Sequence, residues 1–201
     1  MALRCLCAAL CLLCASTADA QLDRAITTQE LMEPWSRAEA VLASIKEGPT
    51  EPAPLNGTLS ALDAALADLQ SQQESVAMRI VGDPAFGYDA SDISREMGIG
   101  LATVSARFED LWAALHIGER SDVQAARAAL GALQRKLSAR NPFERDVLRA
   151  LGSGGKQEIL ALSTSWWDAL TGVDKVRAAL TALQNRIGAA SGRARDHVPR
   201  A

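Results

Sequence analysis

Past residue 20 this chain of 201 residues has no cysteine; all four, Cys5, Cys7, Cys11 and Cys14, stand in the first twenty residues. Disulfide staples and thiolate metal sites are therefore excluded from everything downstream. Histidine is nearly as scarce. With only His116 and His197, a structural zinc centre lacks its four ligands, and no nucleophile has an obvious base and orienting group. Aromatic side chains are few: four tryptophans, three phenylalanines and one tyrosine. The apolar content is carried by alanine and leucine instead, which are helix formers. Charge of one sign does not dominate either. Lys plus Arg number 21 against 24 Asp plus Glu, a net charge of −3, with no basic stripe to capture nucleic acid or an anionic membrane. Finally, no apolar run approaches the roughly 20 residues of a membrane-spanning helix.

The cysteine-bearing segment reads as a secretory leader. Arg4 supplies a positive start, Cys5 to Cys14 is an unbroken apolar stretch, and Ala18-Asp19-Ala20 is a small-x-small cleavage site. Processing there leaves Gln21 as the new N-terminus and predicts a periplasmic or secreted protein. Cys14 follows Leu12 and Leu13 rather than a small residue, which argues against lipidation at that cysteine. The leader removes one charge of each sign, Arg4 and Asp19, so the balance of the remainder is unchanged.

What the rest of the chain does have is apolar residues in alternating three- and four-residue steps, the pattern of one helix packing on another. The run Leu59, Leu62, Leu66, Leu69, Gln73, Val76, Ile80 is the clearest, with Gln73 read either as a polar seam residue that fixes helix register or, preferably, as a slightly off-face residue in water. Comparable runs are Leu31, Trp35, Ala38, Leu42, Ile45, then Ile93, Met97, Leu101, Val104, Phe108, Leu111, Leu115, then Val123, Ala126, Leu130, Leu133, Leu137. Ile159, Leu162, Trp166, Ala169 and Val173, Val176, Leu180, Leu183, Ile187 complete the set. Thr27 with Glu30 and Ser121 with Gln124 have capping-box spacing, and Asn141-Pro142 with Glu144 reads as a further helix start. Pro34 predicts a helix that begins near Glu33 or is kinked there.

Breaks are expected at five places. The prolines of Gly48 to Gly57 predict an extended connector, and Gly82 to Tyr88 a second loop. Gly152 to Gly155 is a third break. Gly118 and Gly172 mark reversals, with turns at 117–121 and 171–172. The fold expected is all-α, an antiparallel bundle of about six helices built from hairpins over roughly 27–81, 89–138 and 141–189, with a disordered tail at 192–201. Ala-Ala-Leu-x-x-Leu-Gln occurs at 64–70, 128–134 and 178–184, and Arg127 to Gln134 matches Arg177 to Gln184 at all but one position. That recurrence points to internal duplication of a helical hairpin.

No catalytic or metal-binding residue emerges. Gly154-Gly155-Lys156-Gln157 lacks the first glycine and the hydroxyl of a phosphate-binding loop, and the acidic pairs Glu109-Asp110 and Asp89/Asp92 read as solvated faces or caps. No cofactor is expected. The alternative is a small ligand or non-covalent haem inside the bundle, for which Met32, Met78, Met97 and His116 are the candidate ligands. The leading expectation is a non-enzymatic exported bundle acting through an unidentified protein partner as adaptor, chaperone-like factor, inhibitor or assembly component. Phe86 and Tyr88, in a Gly/Pro loop, and Trp167, beside Trp166 on one helix, are the candidate contact residues. Neither nucleic acid nor an integral membrane segment belongs to that reading.

Overall fold

A computed structural model describes residues 27–46, 52–82, 86–138 and 156–196. Among them are five helices and no strand: α1 (Thr28–Ser44), α2 (Pro52–Gly82), α3 (Phe86–Ala114), α4 (Ser121–Ser138) and α5 (Lys156–Asp196). The leader and the helix start at Asn141 lie outside the described residues, as do the glycines at 152–155.

The helical periodicity translates directly into burial. Every described side chain of the α1, α2, α4 and α5 runs is buried, and in α3 Leu115 alone is only partly so, where the helix ends. Together they form a single apolar core. Gln73 belongs to it: at 2 % exposure it faces inward, not into water, because it continues the step from Leu69 to Val76.

α1 starts as its capping box predicts. The Glu30 N–H donates to Thr27 Oγ1, while the Thr27 N–H donates to Glu30 Oε2 at 2.9 Å. It runs on through Pro34, which is buried, so the helix does not begin at Glu33. The expected connector to α2 is shorter than the prolines suggested. α2 already begins at Pro52, with Pro54 in its first turn, where the missing N–H has no helical acceptor to lose. Leu55 is buried at 1 % as a result.

α3 ends in a Schellman turn. Ile117 N–H donates to the Trp112 carbonyl at 3.0 Å and His116 N–H to that of Ala113 at 3.1 Å. The left-handed residue is His116, with φ 55°, two positions before the glycine expected to serve there. α4 then opens on Arg120, whose carbonyl accepts from Gln124 N–H at 2.9 Å. The Ser121/Gln124 box is thus not formed; Gln124 Nε2 turns back to the Gly118 carbonyl instead.

The turn expected at 171–172 is absent. α5 continues through it for 41 residues. Gly172 has another purpose: a Cβ there would lie 2.8 Å from Trp35 Cδ1 and 3.0 Å from Trp35 Cβ, so glycine lets α1 lay its tryptophan against the α5 backbone. α5 also extends to Asp196, five residues into the expected tail, through Gly192, Arg193, Ala194 and Arg195, three of which are good or moderate helix formers.

α5 packs on α1 and α2, α3 on α2 and α4, and α4 on α1, which closes a ring in the order α1, α5, α2, α3, α4. Cross-helix contacts fix the directions. Asp63 and Gln70 meet Arg177 and Asp174, so α2 and α5 are antiparallel. Gly100 faces Gln72 while Arg79 and Glu96 line one groove, Arg127 reaches Glu109 across a hairpin closed by the short turn at 115–120, and Lys136 reaches Glu30 while Arg120 reaches Ser44, so the other three seams are antiparallel where these residues meet. A ring of five cannot alternate throughout. Its parallel seam joins α1 to α5, where Thr28 meets Ser165, Trp35 meets Gly172 and the Leu42 carbonyl meets Arg186.

Candidate functional site

The three contact candidates separate. Phe86 and Tyr88 fall in the first turn of α3 rather than in a loop, since the helix begins at Phe86; their side chains lie outside the description. Trp167 lies on α5 and is 44 % exposed. Trp35 and Trp112, by contrast, are 0 % and 1 % exposed. The difference follows from helix geometry. Ala169, Val173 and Val176 take the inward stripe of α5, and Trp167 sits about 160° from Ala169 at 100° per residue, outside that stripe. Met78 on α2 and Ile99 on α3 are the other large apolar side chains exposed among the described residues.

The potential haem ligands do not converge. Met97 is buried in the α3 stripe and His116 is exposed in the turn that ends the same helix, about 28 Å further along at 1.5 Å per residue. Met78 points to solvent on α2, and Met32 is half-buried on α1. Among the described residues no three His, Cys, Asp or Glu side chains are grouped as metal ligands.

An open groove of about 220 Å³ runs between α2 and α3. Val76 and Met97 form its floor, Ser71, Gln72 and Ser75 one wall, and Arg79 and Glu96 bring one charge of each sign. Its lining offers hydroxyls, an amide and an ion pair's worth of charge, without an imidazole, thiol or phenol.

The strongest polar arrangements are interhelical. Arg127 grips Glu109 with two bonds of 2.6 Å and lies 5.7 Å from the centroid of Trp112, itself stacked on Phe108 at 5.3 Å. Its Glu109 hydrogen bond outweighs the opposing effect of burial and raises the Arg127 guanidinium further above its usual range. Arg177 repeats the arrangement on α2, donating to Asp63 and to Gln70 Oε1. Lys136, 6 % exposed, donates to Glu30 Oε1 at 2.7 Å. Burial alone pushes the Glu30 carboxyl up, but the Lys136 bond, both Thr27 donors and the Lys136 charge outweigh it and leave the carboxyl below its ordinary 4.5. At the other end of α1, Arg186 donates to the Leu42 carbonyl at 3.1 Å and Arg120 to Ser44 Oγ at 2.6 Å. These guanidiniums supply the C-terminal cations that α1 lacks in its own last turn.

No helix among the described residues is long and apolar enough to cross a membrane. Comparison with protein-family models, with curated proteins and with solved structures finds no match to this chain.

Proposed function

We propose that this chain is an exported, non-enzymatic helical scaffold that acts by binding another protein, with Trp167 as an anchor of the contact. The observation that carries the reading is the 44 % exposure of Trp167 on a chain that buries Trp35 and Trp112 almost completely. An indole left in water has a large area to lose on contact, and tryptophan is enriched among residues that dominate binding energies. Export rests on the leader at residues 1–20.

A photo-crosslinking residue at 167, introduced in the native host, tests this reading. The expected result is one discrete adduct at 167 that is absent when the same residue replaces the exposed Ala182 on the same helix. Equal labelling at both positions removes Trp167 from the contact surface.

We further propose that α4 and α5 derive from one helical unit. Support comes from equivalent residues: Leu130 and Leu133, like Leu180 and Leu183, are buried, and the leading arginine of each segment reaches a carboxylate on an antiparallel neighbour. Six helices, rather than the five described, follow if the run from Asn141 forms a further one.

A further inference from the structure

We infer that the outer face of the α2/α5 seam, where Met78 stands beside Trp167, is a docking strip for a basic amphipathic helix of the partner protein. The inference rests on Trp167 as a contact residue and adds to it a second anchor, a charge and a shape.

The register of the seam brings the two residues together. Gln70 Nε2 donates to Asp174 Oδ1 at 2.8 Å, and α2 and α5 run antiparallel through this contact. Moving from Gln70 toward the end of α2 is therefore the same direction as moving from Asp174 toward the start of α5. Met78 lies about 12 Å along the first path and Trp167 about 10 Å along the second, so they stand at one level of the bundle. Trp167 is turned only about 20° from Asp174 around α5. Met78 is turned about 80° from Gln70 around α2, away from the buried stripe of Leu66, Leu69 and Val76. Both side chains thus face outward, roughly 8–10 Å apart across one interhelical spacing. Two of the three large apolar side chains exposed among the described residues, Met78 at 63 % and Trp167 at 44 %, share this face; Ile99 is on α3.

Beside the apolar pair the seam is acidic. Glu74, exposed one turn before Met78, has no ion-pair partner among the described residues, and Asp174 is exposed two turns from Trp167. Arg177, the base of this seam, is already held by Asp63. Measured from the Met78/Trp167 level, Glu74 is about 6 Å along and Asp174 about 10 Å, the rise of four and of seven helical residues. A helix laid along the seam, with an apolar residue between Trp167 and Met78 and Lys or Arg four and seven positions away on the same face, meets anchors and charge together. The flexible thioether of Met78 lets the apolar end adapt to that side chain. An extended peptide is served less well, because the described residues include no strand whose edge it could join. A second copy docked by the same face would set these carboxylates against their own equivalents, which disfavours self-association there.

A photo-crosslinking residue placed singly at 78, 99 and 167 of the full chain, in its native host, tests the strip, with each captured peptide sequenced by mass spectrometry. Positions 78 and 167 should capture the same segment, one with Lys or Arg at those spacings from an apolar residue. Position 99, equally exposed but on α3, should capture none of it. Glu74→Lys should lower the yield at both positions roughly threefold or more with helical content unchanged, and the milder Glu74→Gln should lower it less. Capture at 167 without capture at 78 leaves the Trp167 contact standing and overturns the strip, whereas capture at neither overturns both. A captured segment without basic residues, capture of a second copy of this chain, or yields indifferent to both Glu74 substitutions also overturns the strip.

Discussion

Two glycines and one histidine show how differently backbone freedom is used along this chain. Gly172 sits against Trp35, and the Cβ of an alanine there would lie 2.8 Å from the indole, with the α5 backbone and the α1 core both resisting the shift. Gly172→Ala should therefore destabilise the fold by about 1–3 kcal/mol despite the better helix propensity of alanine. Gly131, within α4, meets nothing closer than an Arg135 guanidinium nitrogen at 3.4 Å, so Gly131→Ala should stabilise by about 0.4–1 kcal/mol. Urea denaturation of the two variants checks the opposite signs. His116 presents the converse case, a side chain held at φ 55° where glycine is at ease. His116→Gly should gain up to about 1 kcal/mol by the same measurement, because the Schellman bonds of Ile117 and His116 are made by backbone groups and survive the change. Gln73 is costlier than its sequence position implied. It is 2 % exposed and its Oε1 lacks a hydrogen-bond partner among the described residues, so Gln73→Met should be neutral or stabilising.

At the scale of the helix, the N-terminus of α1 couples local structure to tertiary structure through one carboxylate. Glu30 closes the Thr27 capping box with one oxygen and takes Lys136 of α4 with the other. Its carboxyl is lowered in the folded chain, so the stabilisation it gives is fully present above the unfolded value near 4.5 and is lost as pH falls through the lower folded value. The stability difference between the native chain and Glu30→Gln, followed by urea titration at several pH values, should be constant from pH 6 to 8, pH values about 1.5 units or more above that ordinary carboxyl range. It should shrink steadily below 4.5. A difference that grows on acidification contradicts the assignment.

This same helix shows what a reader of the sequence can and cannot obtain. Leu31, Trp35, Ala38, Leu42 and Ile45 declare their buried face by spacing, and Thr27 with Glu30 declares the start, because both signals are local. Lys136, Arg186 and Gly172 carry no local mark of their role, since each acts on α1 across more than 100 positions of sequence. Gly172 was legible only as a turn, and Pro52 and Pro54 only as a break, because those residue types are ambiguous between two uses. Glycine permits either reversal or close approach, and proline ends one helix or opens the next. The Ser121/Gln124 spacing likewise could not reveal that Arg120 would open α4 while binding Asp122 and Ser44. The exposure of Trp167 was legible because adjacent tryptophans cannot share one narrow stripe. Phe86 and Tyr88 were misplaced because a Gly/Pro-rich flank resembles a loop whether or not a helix starts within it.

The whole molecule is a ring of five helices, and its directions follow from charge as much as from apolar pattern. Leucine and alanine stripes specify that helices pack, not which end lies beside which. Asp63 with Arg177, Glu109 with Arg127 and Glu30 with Lys136 supply that information, and the odd number of members forces one parallel seam. The seam falls between α1 and α5, the pair joined by the close approach at Gly172. Reversing α1 would sacrifice the Lys136 pair, the indole seat and the Arg186 cap together, which is why one direction is chosen. An exposed Trp167 on the same α5 then stands on a helix held on two sides, by α1 and by α2, a rigid mount for the contact proposed at that residue.

The ring stands or falls with the direction of α1 against α5, and pulsed electron-spin distance measurement tests it directly. Spin labels go on the exposed positions Gln29, Thr164 and Asn185, taken two at a time in a background without the leader cysteines. Parallel packing predicts that the label at 29 lies close to that at 164 and roughly 30 Å or more from that at 185, which is 21 helical residues further along α5. The reverse order, with 29 nearer to 185 than to 164, would show α1 and α5 antiparallel and contradict the ring.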